Sequence, residues 1–167
     1  MRRAAAAAVV LLLAAGAVAG AATLRGTPKR DRIVGTAKAD RIDGRRGNDR
    51  LAGRGGPDRI HGRRGRDRLL GKRGHDLLVG GRGPDQLNGG PGDDTLDGGP
   101  GDDEFRDGPG FDEVKAGPGD DLILSRDGGE DRIDCGPGDD IAVLGEAEDG
   151  VIDCEELRFP PESEPEP

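Results

Sequence analysis

The chain has no tryptophan, no tyrosine and only three phenylalanines among 167 residues. Hydrophobic residues total 32%, too few large apolar side chains for an ordinary globular core of this length. Catalytic side chains are equally scarce. His61 and His75 are the only histidines, and Ser125 and Ser163 the only serines. No H-E-x-x-H or G-x-S-x-G frames them and no phosphate-binding P-loop is present, so we expect no enzyme. The lack of aromatic residues to stack on bases weakens nucleic acid as a partner. After residue 22 no apolar run is long enough to span a membrane.

The abundant residue is glycine, 32 in all, beside 12 prolines. Such a composition with 35% charged residues reads as disorder unless it is ordered by repetition. The first segment stands apart. Met1-Arg2-Arg3 is a short basic stretch, and Ala4 to Ala22 is a run of Ala, Val, Leu and Gly with small residues at its end. That is the layout of a cleaved secretory signal peptide over residues 1–22; an uncleaved anchor is the alternative. Residues 160–167 (PPESEPEP) form an acidic, Pro-rich tail expected to be disordered.

Between these ends, residues 23–159 carry a nine-residue ruler. Cut from Gly26, the chain reads GTPKRDRIV, GTAKADRID, GRRGNDRLA, and on through GGPGDDTLD and GGPGDDEFR to LGEAEDGVI, with one extra residue inside SRDG. Position six is Asp in all fourteen rungs, from Asp31 to Asp149, and position eight is apolar in all, from Ile33 to Val151. Glycines at positions one, two and four permit tight turns. The last three residues are extended, with the middle one inward. Turn, strand, turn, strand makes a coil of eighteen residues, in which each apolar side chain packs on its neighbours one coil away. The expected fold is all-β, a parallel β-roll.

Stacking at about 4.8 Å puts every position-six Asp beside another. A column of unpaired carboxylates at that spacing is costly. Carboxylate and turn-carbonyl oxygens together make a hard, flexible cage that suits Ca²⁺ better than Mg²⁺. The bland alternative is that Asp is present for turn chemistry alone.

The rungs resemble the RTX, or haemolysin-type calcium-binding, nonapeptide G-G-x-G-x-D-x-U-x. The match is tight in GGRGPDQLN, GGPGDDTLD and GGPGDDEFR and looser before Gly80, where position two is Thr, Arg or Lys. The resemblance implies a right-handed parallel β-roll with Ca²⁺ between turns on the same side. Carried over rung by rung, it makes Asp85, Asp94, Asp103, Asp112, Asp121, Asp131 and Asp140 the carboxylate ligands. Asp93, Asp102, Asp120 and Asp139 fall on the variable fifth position and are not counted as ligands.

Two further features bear on function. Residues 25–82 hold 18 Lys/Arg against 7 Asp, whereas residues 83–167 hold 5 Lys/Arg against 27 Asp/Glu. Arg32, Arg41, Arg50, Arg59 and Arg68 fill position seven of consecutive rungs, so alternate members share a face. This comb fits an adhesive or polyanion-binding role toward an anionic cell-wall or surface polymer, the alternative being a solvated face balancing Asp. The only cysteines, Cys135 and Cys154, allow one intramolecular disulfide, which export would permit, or two free thiols. Their offset of nineteen, one more than a coil, places them one coil apart, within bridging range. The reading as a whole is an exported calcium-binding repeat protein that is extracellular or associated with the cell wall.

Overall fold

The computed structural model describes residues 20–126, 129–145 and 150–158. Most of the expected signal segment, Asp149, Ser163 and the acidic tail lie outside them. The strands are β1 (Thr23–Arg25), β2 (Arg32–Val34), β3 (Arg41–Arg46), β4 (Arg50–Gly55), β5 (Arg59–Arg64), β6 (Arg68–Arg73), β7 (Leu77–Arg82) and β8 (Gln86–Asn88), followed by β9 (Thr95–Asp97), β10 (Glu104–Arg106), β11 (Glu113–Lys115), β12 (Leu122–Ser125), β13 (Arg132–Asp134), β14 (Ile141–Leu144), β15 (Gly150–Ile152) and β16 (Glu156–Arg158).

Every strand pairs in parallel with the next but one, so the odd strands form one eight-stranded sheet and the even strands another. The chain is a parallel β-solenoid of two strands per coil. Register follows the ruler: Ile42 pairs with Ile60 and Ile60 with Leu78, an offset of eighteen. At the extra residue the offset becomes nineteen, Val114 pairing with Ile133 and Ile123 with Ala142.

The core is two files of position-eight side chains between the sheets. From Ile33 to Ala142 all of them are buried, Phe105 included. Alternation extends inward pointing beyond position eight. Positions six, eight and one of the next rung lie two residues apart and all face in, as the pattern of β3 and its neighbours shows. Leu24 begins the core one half-coil before the first full rung, and Ala22 packs against it. At the other end the core thins: Leu157 is 45% exposed.

The last coil is short. Ala142 pairs with Leu157, an offset of fifteen, so only three residues separate β15 from β16. Cys154 lies in that turn and is bonded to Cys135, with Cα atoms 5.2 Å apart. The disulfide thus stands where a full turn is missing and ties the final coil to the one before.

Candidate metal centre

The turns run along two edges of the solenoid, and each edge carries a file of position-six aspartates. Turns after odd strands carry Asp31, Asp49, Asp67, Asp85, Asp103, Asp121 and Asp140; turns after even strands carry Asp40, Asp58, Asp76, Asp94, Asp112 and Asp131. All are buried. Of the seven aspartates that the repeat pattern marks as ligands, Asp85, Asp103, Asp121 and Asp140 share the first edge, and Asp94, Asp112 and Asp131 the second.

One oxygen of each carboxylate has a fixed structural task. The Asp85 N–H donates to Asp103 Oδ1 at 2.7 Å, the Asp103 N–H to Asp121 Oδ1 at 2.7 Å, and the Asp94 N–H to Asp112 Oδ1 at 2.7 Å. The same bond joins Asp31 to Asp49 and Asp40 to Asp58. It satisfies a backbone donor that the strand ladder leaves over.

The second oxygen is treated differently along the chain. Asp31 Oδ2 and Asp40 Oδ2 accept from the backbone N–H of Thr27 and Thr36, and Asp131 Oδ2 accepts from Ser125 Oγ at 2.8 Å. In Asp49, Asp58, Asp67, Asp76, Asp85, Asp94, Asp103, Asp112, Asp121 and Asp140, Oδ2 is buried and receives no hydrogen bond from the described residues. A buried carboxylate oxygen with no donor is costly in a protein interior. These oxygens face position one of their own rung: a Cβ on Gly53 would stand 2.0 Å from Asp58 Oδ2, and one on Gly98 2.4 Å from Asp103 Oδ2. Glycine there spares the carboxylate a collision with a side chain.

Burial also sets the protonation of the files. It lifts the carboxyls of Asp49, Asp58, Asp85, Asp94 and Asp121 from 3.8 to about 7, and those of Asp103 and Asp112 to about 8. The backbone N–H bond opposes the rise, and neighbouring carboxylates add to it. A divalent cation supplies what each file lacks: a partner for the lone oxygen and positive charge between stacked acids. The carboxylate and carbonyl donors such turns offer are all oxygens, which would suit Ca²⁺.

The turn backbone is the same in the basic and the acidic rungs. Position two has positive φ in Gly81 (116°), Gly90 (100°) and Gly99 (87°), and equally in Arg45 (80°), Arg54 (95°), Arg63 (88°) and Lys72 (88°). Each side chain held there costs about 1–2 kcal/mol relative to ordinary backbone. The Thr27 and Thr36 turns are not of this kind, since neither residue has positive φ.

The fifth position serves the backbone. Asp102 Oδ1 accepts from the Asp120 N–H, and Asp120 Oδ1 from the Asp139 N–H, at the exposed outer lip of the turns. The basic comb is also laid out in register: Arg32, Arg50 and Arg68 lie side by side on the outer face of the even sheet, and Arg41 and Arg59 on that of the odd sheet.

Two acidic residues escaped the ruler. Asp107 occupies position one of its rung, where the nine preceding rungs have glycine. It is buried, and together with Asp112 and Asp131 it offers three carboxylate oxygens within 4.8 Å of one another. Its signal was visible as a broken glycine column. Glu155 ends the first file by accepting the Asp140 N–H at 2.9 Å. It stands three residues out of phase because the last turn is short, so no fixed period finds it.

Comparison with curated proteins finds no match. The family model for the RTX calcium-binding nonapeptide repeat (4 copies) matches residues 25–60, 46–78, 70–105, 97–129 and 107–142 in overlapping succession. With ruler, solenoid and aspartate files in agreement over more than half of its length, the chain belongs to the RTX calcium-binding nonapeptide repeat family.

Proposed function

We propose that this is an exported, non-enzymatic calcium-binding protein whose roll folds when Ca²⁺ enters the turns outside the cell. The observation that carries the reading is the set of buried Oδ2 atoms of Asp85, Asp94, Asp103, Asp112, Asp121 and Asp140, which no donor among the described residues reaches. Asp85, Asp94, Asp103, Asp112, Asp121, Asp131 and Asp140 are the carboxylates assigned to the ions. Ligand that binds only the folded state adds RT ln(1 + [L]/Kd), about 2.7 kcal/mol at a hundredfold excess. Extracellular calcium then stabilises a fold that the acidic half resists through self-repulsion. Circular dichroism of residues 23–167 in chelator at pH 8 is expected to show coil, and added Ca²⁺ to bring up β signal. An equally folded spectrum in chelator overturns the reading.

The ions concentrate after Gly80. Before it, the cationic side chains of Arg45, Arg54, Arg63 and Lys72 stand at the turns and oppose a second positive charge. In the full chain, Asp103→Asn should therefore remove a bound Ca²⁺ from the calorimetric stoichiometry and Asp67→Asn should not. Equal losses would make the roll one uniform calcium ladder.

A second reading, polyanion binding by the basic rungs, is favoured by the in-register arginines. Arg32, Arg50 and Arg68 repeat at coil pitch. Beside the odd sheet, Arg45, Arg46, Arg63, Arg64 and Arg82 line a groove of about 650 Å³ with His61. Retention on an anionic polysaccharide matrix that falls steeply with salt, and is lost on replacing Arg32, Arg50 and Arg68 by Gln, supports it. Unchanged retention in that variant excludes it.

A further inference from the structure

We propose that Asp107 joins the repeat carboxylates Asp112 and Asp131 in a three-carboxylate calcium site that fills first as calcium rises. The inference rests on the calcium reading above and deepens it.

The other turns contribute a single inward carboxylate each, because position one is glycine or, in later rungs, Ala116, Ser125 or Cys135. In the turn from Asp107 to Asp112 both ends are acidic and both are buried, at 1% and 3% exposure. Oδ2 of a position-six Asp faces position one of its rung wherever that residue is glycine. In this rung Asp112 Oδ2, which receives no hydrogen bond, therefore faces an aspartate. The third member comes from the next turn on the same edge. Asp131 is already held in place there, Oδ1 by the Asp112 N–H at 2.8 Å and Oδ2 by Ser125 Oγ at 2.8 Å.

The spacing suits one ion. Oxygens on opposite sides of a Ca²⁺ lie about 4.6–5.2 Å apart, twice a bond of about 2.3–2.6 Å, and the three candidate atoms fall within 4.8 Å of one another. The site also coincides with the one-residue insertion in the ruler. The extra residue lies in the turn leading to Asp131, where the same-edge offset is nineteen instead of eighteen. Successive turns on this edge thus depart from the repeat, one by an added acid and the next by an added residue. Calcium affinity rises with the number of charged ligands and the rigidity of the site. Three carboxylates in place of the usual two from adjacent coils make this the tightest position in the file.

A hydrogen-bonded acid pair is the competing account, with Asp107 and Asp112 sharing a proton. Calorimetric Ca²⁺ titration of the full-length mature chain, followed in parallel by circular dichroism, separates the two. The wild type is expected to show one ion bound at least tenfold more tightly than the rest. Asp107→Gly restores the residue found in nine other rungs and should abolish that first step while leaving the later uptake intact. Asp107→Asn, close in shape, should weaken the first step at least tenfold, which guards against a folding defect in the glycine variant. A first step unchanged in either folded variant, or no distinct first step in the wild type, overturns the proposal and leaves the repeat sites standing. No Ca²⁺ uptake anywhere in the wild type overturns the calcium reading itself, and this site with it.

Discussion

At the scale of the residue, the two oxygens of a position-six carboxylate do different work. Asp103 Oδ1 accepts the buried Asp85 N–H, whereas Asp103 Oδ2 has no partner among the described residues. The two substitutions Asp103→Asn and Asp103→Ala separate these tasks. Asn keeps an acceptor for the Asp85 N–H and loses the charge that holds an ion. Ala loses both and strands a buried donor, which costs about 1–3 kcal/mol. In saturating Ca²⁺ both variants should unfold at lower urea than the wild type, with Ala below Asn by that amount. Equal midpoints for Asn and Ala would show that the Asp85–Asp103 bond contributes no stability.

At the scale of the element, the repeat was legible because a single constraint, one coil per eighteen residues, fixes turn, strand and core together. Position eight forecast the core from Ile33 to Val114 without error, since alternation leaves only one place for an apolar side chain. What the period missed lies where it is broken. Leu24 belongs to a half-rung in which Ala22 stands in the aspartate position, its N–H donating to Asp40 Oδ1. Glu155 follows a shortened turn, and Asp107 replaces a glycine. The inward direction of position one was hidden too, because glycine has no side chain to betray it; Ser125, Cys135 and Leu144, buried at that position, reveal it. The aspartate files also give each edge a pH dependence. An unfolded Asp titrates near 3.8, whereas Asp103 and Asp112 are raised to about 8 and Asp85, Asp94 and Asp121 to about 7. Between these values the folded state binds more protons than the unfolded state, so stability falls as pH rises. The metal-free roll should be most stable below about pH 4 and lose that stability as pH climbs through 7 to 8. Ca²⁺ needs the ionised form, so its uptake at pH 7 should release protons and hold the β signal at pH 8. Circular dichroism across pH 4–8 with and without Ca²⁺ tests both halves. A metal-free β signal that grows toward pH 8 would contradict the assigned protonation.

At the scale of the whole molecule, a solenoid is a one-dimensional stack in which each coil is stabilised by its neighbours and the ends are weakest. The two ends of this one differ. The N-terminal end carries Leu24 nearly buried, at 7% exposure, on a full coil. The C-terminal end has Ile152 and Leu157 about half exposed, a turn of three residues and the Cys135–Cys154 bond. The disulfide closes a loop of nineteen residues, which contributes roughly 3 kcal/mol in the chain-entropy model. That is large beside what one thin terminal coil supplies, because among the described residues β15 and β16 each pair on one side only. An open sheet edge there is also a template for pairing with another chain. Reduction of the bond in Ca²⁺, or Cys135→Ser with Cys154→Ser, should therefore release β15 and β16 first. Hydrogen exchange at the amides of residues 150–158 is expected to lose its protection by about a hundredfold, the factor that roughly 3 kcal/mol represents. The strands from β3 to β9 should keep theirs, since nearest-neighbour coupling fades along the stack. If all sixteen strands lose protection together, the roll is one cooperative unit and the bond governs the whole of it. If residues 150–158 stay protected, packing alone holds the last coil, and the disulfide contributes nothing to the folded end.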